Sequence, residues 1–408
     1  MKPDPIDLSD GRVFANGFPH DYFRWLRESE PVFWHDPTPI SPDGDGFWVI
    51  SRYDDVKEIQ MNPELYSSET GGNRTGGGTG LSDVTTIRNV LNFTDDPKHK
   101  MLRSLVNKGF TKAAIGKLED NLRQRAVALI DTFPHDEVFD FVPSFSRELP
   151  LQAICMVLGV PQSDRAQLCE WIDLGLAAES PQILAPEYHS KISEYGRSLI
   201  EEKRKRRGDD ILSNVIHAKA DDGSARGLSD AELLGFFQLL FPAGAETTRS
   251  AIGGGLLALL ENPDQLAALR DDPKLLSSAI EEIVRWTTPS IYKRRTATKD
   301  VEFKGRQIKA GDKVTFREMS ANRDERVFRD PFQFDIRRMP NPHLGFGYGV
   351  HVCLGSMLAR MELKIALQEL LHRVDDFRLA GKVDWMPNNR LLGIRQFPLR
   401  IKHLERVV

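Results

Sequence analysis

HLGFGYGVHVCLG, residues 343–355, crowds three glycines, a phenylalanine and a histidine around one cysteine, Cys353. Gly345, Gly347 and Gly349 make a loop with little side-chain bulk and free φ. A helix is expected to open at Leu354 and run to about Val374. A thiol at a helix N-terminus beside a histidine, here His351, is favoured as the thiolate, because the dipole and the cation stabilise the anion. A thiolate with space around it is a nucleophile or a metal ligand. The other reading of a lone cysteine, a small buried hydrophobe, suits Cys155 and Cys169 but not Cys353.

Upstream of this loop, residues 322–345 are rich in Pro, Arg and Phe and read as irregular. Short strands are expected near 292–317, punctuated by Gly305 and Gly311. Residues 97–290 are mostly helical in pattern, with breaks at Pro134, Pro150, Pro161, Pro181 and Pro263. Phe47–Ile59 starts as a strand and turns helical, and 376–402 read as strand and turn. Gly71–Gly80 fits neither GxGxxG nor a P-loop and is expected to be a flexible loop. The sum is a mainly α chain with a minor β part and no linker, so residues 1–408 are expected to form one domain.

One helix is unusual. Leu228–Pro263 opens on a capping box, Ser229 and Glu232, and stops at Pro263. About 32 residues would span about 48 Å. It is apolar nearly all round, which predicts burial. In its middle Pro242 removes a backbone donor, Ala243, Gly244 and Ala245 carry almost no side chain, and Glu246, Thr247 and Thr248 are polar. A bent core helix with a satisfied acid and hydroxyl would read this way. So would a helix with a flat ligand against it.

Lys plus Arg number 55 and Asp plus Glu 59, a net charge of −4, which argues against a general nucleic-acid binder. Three cysteines without a CxxC pair exclude a disulfide scaffold. The N-terminus lacks an apolar signal region and no apolar run reaches 18 residues, so a cytoplasmic protein without a membrane span is expected.

FGYGVHVCLG resembles the haem-binding signature of the cytochrome P450 family, F-G-x-G-x-H-x-C-x-G. Glu282-Ile-Val-Arg285 resembles its E-x-x-R, AGAETT (Ala243–Thr248) its oxygen-activating motif, DDPKHKMLR (Asp95–Arg103) its C-helix segment, and Ser320–His343 its meander. The resemblance implies the P450 fold, with a long central I helix over haem b (iron protoporphyrin IX). It implies Cys353 as the axial thiolate on iron, with Phe346 beside it and Gly347, Gly349 and Gly355 letting backbone approach. Ala243 and Gly244 would lie against the ring. His99, Arg103, Arg295 and His351 would hold the two propionates. Glu246 and Thr247 would deliver protons to bound dioxygen. Glu282, Arg285 and Arg338 would form a buried ion cluster behind the haem.

The activity implied is a monooxygenase that inserts one atom of O2 into a hydrophobic substrate, of steroid, terpenoid or fatty-acyl type. No flavin or nucleotide motif is present, so electrons from NAD(P)H would arrive through a ferredoxin or flavodoxin and its reductase. Lys100, Arg103, Lys108, Lys112 and Arg360 could offer a basic docking face. Phe241, Ile291 and Tyr292 are expected to border the substrate, together with the Gly71–Gly80 loop and the segment around 165–195. A monomer is expected. Two alternatives are a peroxide-driven peroxygenase and a haem sensor without turnover. Pro242, Lys293 and Arg317 depart from the family's usual residues, and Pro242 is expected to enlarge or shift the helix kink.

Overall fold

Four helices and five strands carry the residues of interest. The helices are α1 (Lys98–Asn107), α2 (Asp230–Glu261), α3 (Leu276–Thr287) and α4 (Ser356–Arg373). The strands are β1 (Val32–His35), β2 (Phe47–Ile50), β3 (Tyr66–Ser67), β4 (Lys293–Ala297) and β5 (Lys313–Phe316). They belong to a computed structural model that describes residues 3–71, 74–84, 90–176, 186–219 and 226–403.

α2 begins as its sequence dictates. The Ser229 backbone N–H donates to the Glu232 carboxylate at 2.8 Å, and the Glu232 N–H donates back to the Ser229 hydroxyl at 3.3 Å. The helix runs unbroken through Pro242 and ends at Glu261. Pro263 opens the next helix, Pro263–Asp271, at a position where its missing donor costs little. Glycines let α2 pack closely. A Cβ on Gly254 would lie 2.8 Å from Thr287 Cγ2, and one on Gly255 2.7 Å from Ile283 Cγ2, so α3 sits tight against this stretch. The neighbouring helix Glu148–Leu158 contains Pro150 in its first turn, where proline is tolerated; the expected break there is not found. Pro181 lies outside the described residues.

The five-stranded sheet has the order β1-β2-β5-β4-β3, with β2 and β5 parallel and the other neighbours antiparallel. Lys293 faces Phe316 and Arg295 faces Val314 across β4 and β5. Alternation along β4 therefore sends Lys293 and Arg295 to one side and Arg294 and Thr296 to the other. Val314 and Phe316 join an apolar cluster with Val32 and Ile50. Ile291 and Tyr292 join a second cluster with Phe14, Phe23 and Leu81. A larger helical core surrounds α2. Among the described residues, no helix is long and apolar enough to cross a membrane.

Candidate functional site

The Cys353 loop is held from both sides. The Cys353 N–H donates to the Phe346 carbonyl at 2.9 Å. Gly349 has φ +70°, and a Cβ there would also lie 2.6 Å from the Gln60 carbonyl oxygen. A Cβ on Gly345 would lie 2.6 Å from Val284 Cγ1. These two glycines serve contacts with the helices behind the loop. Gly355 has open space where a Cβ would stand, and Gly347 has φ +73°. Phe346 lies under the Arg360 guanidinium, 4.3 Å from its ring centre.

Cys353 is exposed even though surrounding protein desolvates its sulfur, so the thiol borders open space inside the fold. Burial pushes the thiol up, while the Gly355 N–H, Lys293, Arg103 and Arg360 pull it down. His351 is not among these cations. Burial, with the charges of Arg295, His99 and Arg103, holds its imidazole down to about 2, so it is neutral at pH 7. The imidazolium expected from the sequence is corrected to a neutral ring.

Four groups converge beside this thiol, and among the described residues only His99 has a carboxylate within reach, Asp96 Oδ1 at 3.5 Å from its Nδ1. The His99 and His351 rings lie 4.2 Å apart, and His99 Nε2 is buried without a hydrogen-bond partner. His351 Nε2 meets the Ser68 hydroxyl at 3.1 Å. Arg103, from α1, makes no hydrogen bond or ion pair among the described residues, and burial lowers it. Arg295 is buried, donates to the Arg294 carbonyl at 2.8 Å, and burial brings it down to about 10. Its neighbour Arg294 turns the other way and pairs with Asp83 at 2.7 Å. The two adjacent arginines are thus separated by strand alternation.

On α2, Ala243 is exposed in mid-helix and Gly244 and Thr247 are half-buried, while Phe241, Ala245, Glu246 and Thr248 are buried. These three positions share one helix face. A Cβ on Gly244 would lie 2.8 Å from Ile154 Cδ1, so its bareness admits the neighbouring helix. The Thr247 hydroxyl donates to the Ala243 carbonyl at 2.8 Å. Glu246 is not free: Arg249 Nη1 donates to its Oε2 at 3.1 Å, and both side chains are buried. The sequence did not single out Arg249, although its i+3 spacing from the acid was readable.

Glu282 gathers four groups. Arg285 donates at 2.7 and 2.8 Å, Arg338 and Asn341 at 3.1 Å, and the Asp335 N–H at 3.0 Å. Arg285 also donates to the Asn322 and Pro331 carbonyls, and Arg338 to those of Arg329 and Asp330. The irregular stretch after β5 is folded around these two guanidiniums. Asn341 was missed in the sequence because no spacing rule connects it to α3.

Several expectations are corrected. Phe241, Ile291 and Tyr292 are fully buried, at 1% exposure or less, and line no open space. The Tyr292 hydroxyl instead accepts from the Leu81 N–H at 3.1 Å. Arg360 is 40% exposed but its charge is paired: it donates to Glu281 at 2.6 and 2.8 Å, and His343 meets the same carboxylate at 3.0 Å. Arg103 faces inward towards Cys353. Lys112 does border a surface hollow of about 540 Å³, with Lys274, Lys364, Ile115 and Met357. The Gly71–Gly80 loop, where described, is tied down, with Arg74 bridging Asp83 and Asp45. Residues 177–185, in the middle of the segment around 165–195 expected to touch substrate, lie outside the described residues.

The chain matches the family model described as Cytochrome P450 over residues 181–402. It is 49% identical over 403 residues to a Mycobacterium tuberculosis protein named cytochrome P450 126, covering 97% of each chain. The chain belongs to the cytochrome P450 family. This P450 is also 36% identical to the steroid C26-monooxygenase of M. tuberculosis, over 97% of this chain and 92% of that one. It is 36% identical to the methyl-branched lipid omega-hydroxylase of Mycobacterium bovis, over 92% and 90%. Among solved structures, the Bacillus subtilis bacillaene polyketide synthase P450 PksS aligns with TM-score 0.88 at 30% identity, over 98% of this chain and 100% of that one.

The protein is therefore a P450 monooxygenase of the mainly α P450 fold, and its family binds haem through a cysteine thiolate. The residues present fit that group. A thiol borders open space, and beside it a buried imidazole nitrogen and two arginines lack the carboxylates that two propionates would bring.

Proposed function

We propose that Cys353 is the axial haem ligand of a monooxygenase acting on a hydrophobic substrate of steroid, terpenoid or fatty-acyl type. The observation that carries this reading is the exposed Cys353 thiol beside the unpartnered His99 Nε2 and beside Arg103 and Arg295, which have no carboxylate at hydrogen-bond distance among the described residues. Haem, when bound, supplies oxygen activation and insertion. The chain's own groups do the rest. Gly355 N–H and nearby cations favour the thiolate at Cys353. His99, Arg103, Arg295 and neutral His351 hold carboxylates. Thr247 keeps its hydroxyl hydrogen on the Ala243 carbonyl, which leaves its oxygen free to accept a proton-bearing water. Arg249 donates to the Glu246 carboxylate, so the acid would relay a proton by moving between Arg249 and water. Glu282, Arg285 and Arg338 keep the loop's foundation in place.

The steroid and branched-lipid relatives support the substrate class. Electrons from NAD(P)H would come through a ferredoxin or flavodoxin, docking where Lys112, Lys274 and Lys364 rim the hollow beside α4. The chain would work as one domain and one monomer in the cytoplasm. The test is the carbon monoxide difference spectrum of the reduced protein. A strongly red-shifted Soret band in the parent, lost in Cys353→Ser, is expected. Retention of that band in the variant would refute the ligand assignment.

A further inference from the structure

β4 is an interior strand, bonded to β5 on one edge and β3 on the other, yet Lys293 keeps 32% of its side chain exposed. It shares a strand face with Arg295 and stands opposite Phe316. Its charge is felt at the Cys353 sulfur, as that of Arg295 on the same strand face is felt at His351, so this face of the strand looks toward the Cys353 loop. Nζ donates to Glu318, whose side chain is 1% exposed. An ammonium has three donors. Among the described residues, no second acceptor meets this one.

The charges nearby do not cancel. Arg317, next to Glu318 in the chain, is fully buried, and none of its three nitrogens has a hydrogen-bond partner. It meets the ring of Tyr292 at 4.7 Å and that of Phe23 at 5.9 Å. Glu318 pairs with Lys293 and its charge also bears on Arg317, and its Oε2 is itself unpartnered among the described residues. Two cations and one anion leave an excess positive charge where desolvation makes it costly. Most of that cost is removed if an anion binds.

We propose that Lys293 is a carboxylate-binding residue facing the Cys353 space, with Glu318 holding its ammonium in place. The ligand class is a carboxylate on an otherwise apolar body. Two sources share that chemistry: a hydrophobic acid substrate and a haem propionate. The proposal rests on the haem-thiolate reading for its optical readout.

The experiment uses holoenzyme of the parent, Lys293→Gln, Lys293→Arg and the double variant Lys293→Gln/Glu318→Gln, which leaves no lone buried carboxylate. Myristic acid and methyl myristate are each titrated against the ferric Soret band, and haem transfer to apomyoglobin is timed. If the substrate is the source, the parent binds the acid about tenfold or more tighter than the ester, as a charged hydrogen bond allows. Lys293→Gln and the double variant lose that preference, and Lys293→Arg keeps it. If the propionate is the source, acid and ester behave alike, and both Gln variants release haem several times faster than parent and Lys293→Arg. No preference in the parent together with unchanged haem release overturns the proposal. A red-shifted carbon monoxide band in every variant would show that the haem-thiolate reading survives such a failure.

Discussion

Replacing Glu282 with Ala tests the foundation of the site. The side chain is fully buried and accepts from two guanidiniums, one amide and one backbone N–H. Its removal leaves Arg285, also fully buried, and Arg338, 8% exposed, without a counter-charge. Both keep backbone carbonyls as acceptors, so hydrogen bonding is partly retained and the cost is mainly that of uncompensated charge. Breaking a buried pair in this way costs about 3–5 kcal/mol. At roughly 2.1 cal/mol/K per residue, a chain of 408 residues has an unfolding entropy of about 0.86 kcal/mol/K. The expected fall in Tm is therefore about 4–6 °C, read by calorimetry on haem-loaded protein. Faster tryptic cleavage at Arg329, Arg337 and Arg338 should accompany it. Adding Arg285→Met and Arg338→Met to the variant should restore part of the loss, because it removes the unpaired charges. A Tm within about 1 °C of the parent, with unchanged haem content, would refute the argument.

Other consequences are as direct. Thr247→Ala should leave haem and fold intact but send reducing equivalents into hydrogen peroxide, lowering product per NADH by about tenfold or more; a sensor would show no such leak, and a peroxide-driven enzyme would keep its peroxide-supported rate. Gly349→Ala forces φ +70° on a residue with a Cβ and sets it 2.6 Å from the Gln60 carbonyl. A loss of about 2 kcal/mol and a lower haem-to-protein ratio are expected, and parental values would contradict the close approach. Burial alone would raise the Glu281 carboxyl, but Arg360 and His343 bring it down to about 2 from its ordinary 4.5. A depressed acid stabilises the fold above its unfolded pKa, and that contribution is lost as pH falls through about 2. Parent and Glu281→Gln should differ most in Tm above pH 5 and converge towards pH 2; a pH-independent gap would exclude this charge effect.

What the sequence could show was local. Ser229 and Glu232 are three residues apart, and so are Glu282 and Arg285, so one helical turn brings each pair together. The Cys353 loop was legible because its constraints are glycines at fixed positions. What failed was non-local. Tyr292 and Phe241 have the chemistry of pocket linings, but only the packed clusters show that they face away from open space. Arg360 is a surface cation, but nothing in the sequence shows that Glu281, 79 positions away, pairs with it. His351 looked like a cation because proximity to a cysteine was visible, while Arg295, His99 and Arg103 come from distant segments.

The same distinction explains why the charges are informative here. Around Glu282 and Glu281 the carboxylates collect arginines and the accounts close within the protein. Around Cys353 they do not: Arg103 and Arg295 are desolvated without an acid at hydrogen-bond distance among the described residues. A fold tolerates such groups when a ligand completes them, because an unpaired buried cation costs more than a paired one. These two arginines match the carboxylates of haem. Lys293, held by Glu318, is not among the residues that the family resemblance assigned to haem. That remainder is the physical reason to look for a further carboxylate contact at this lysine, from the substrate or from haem.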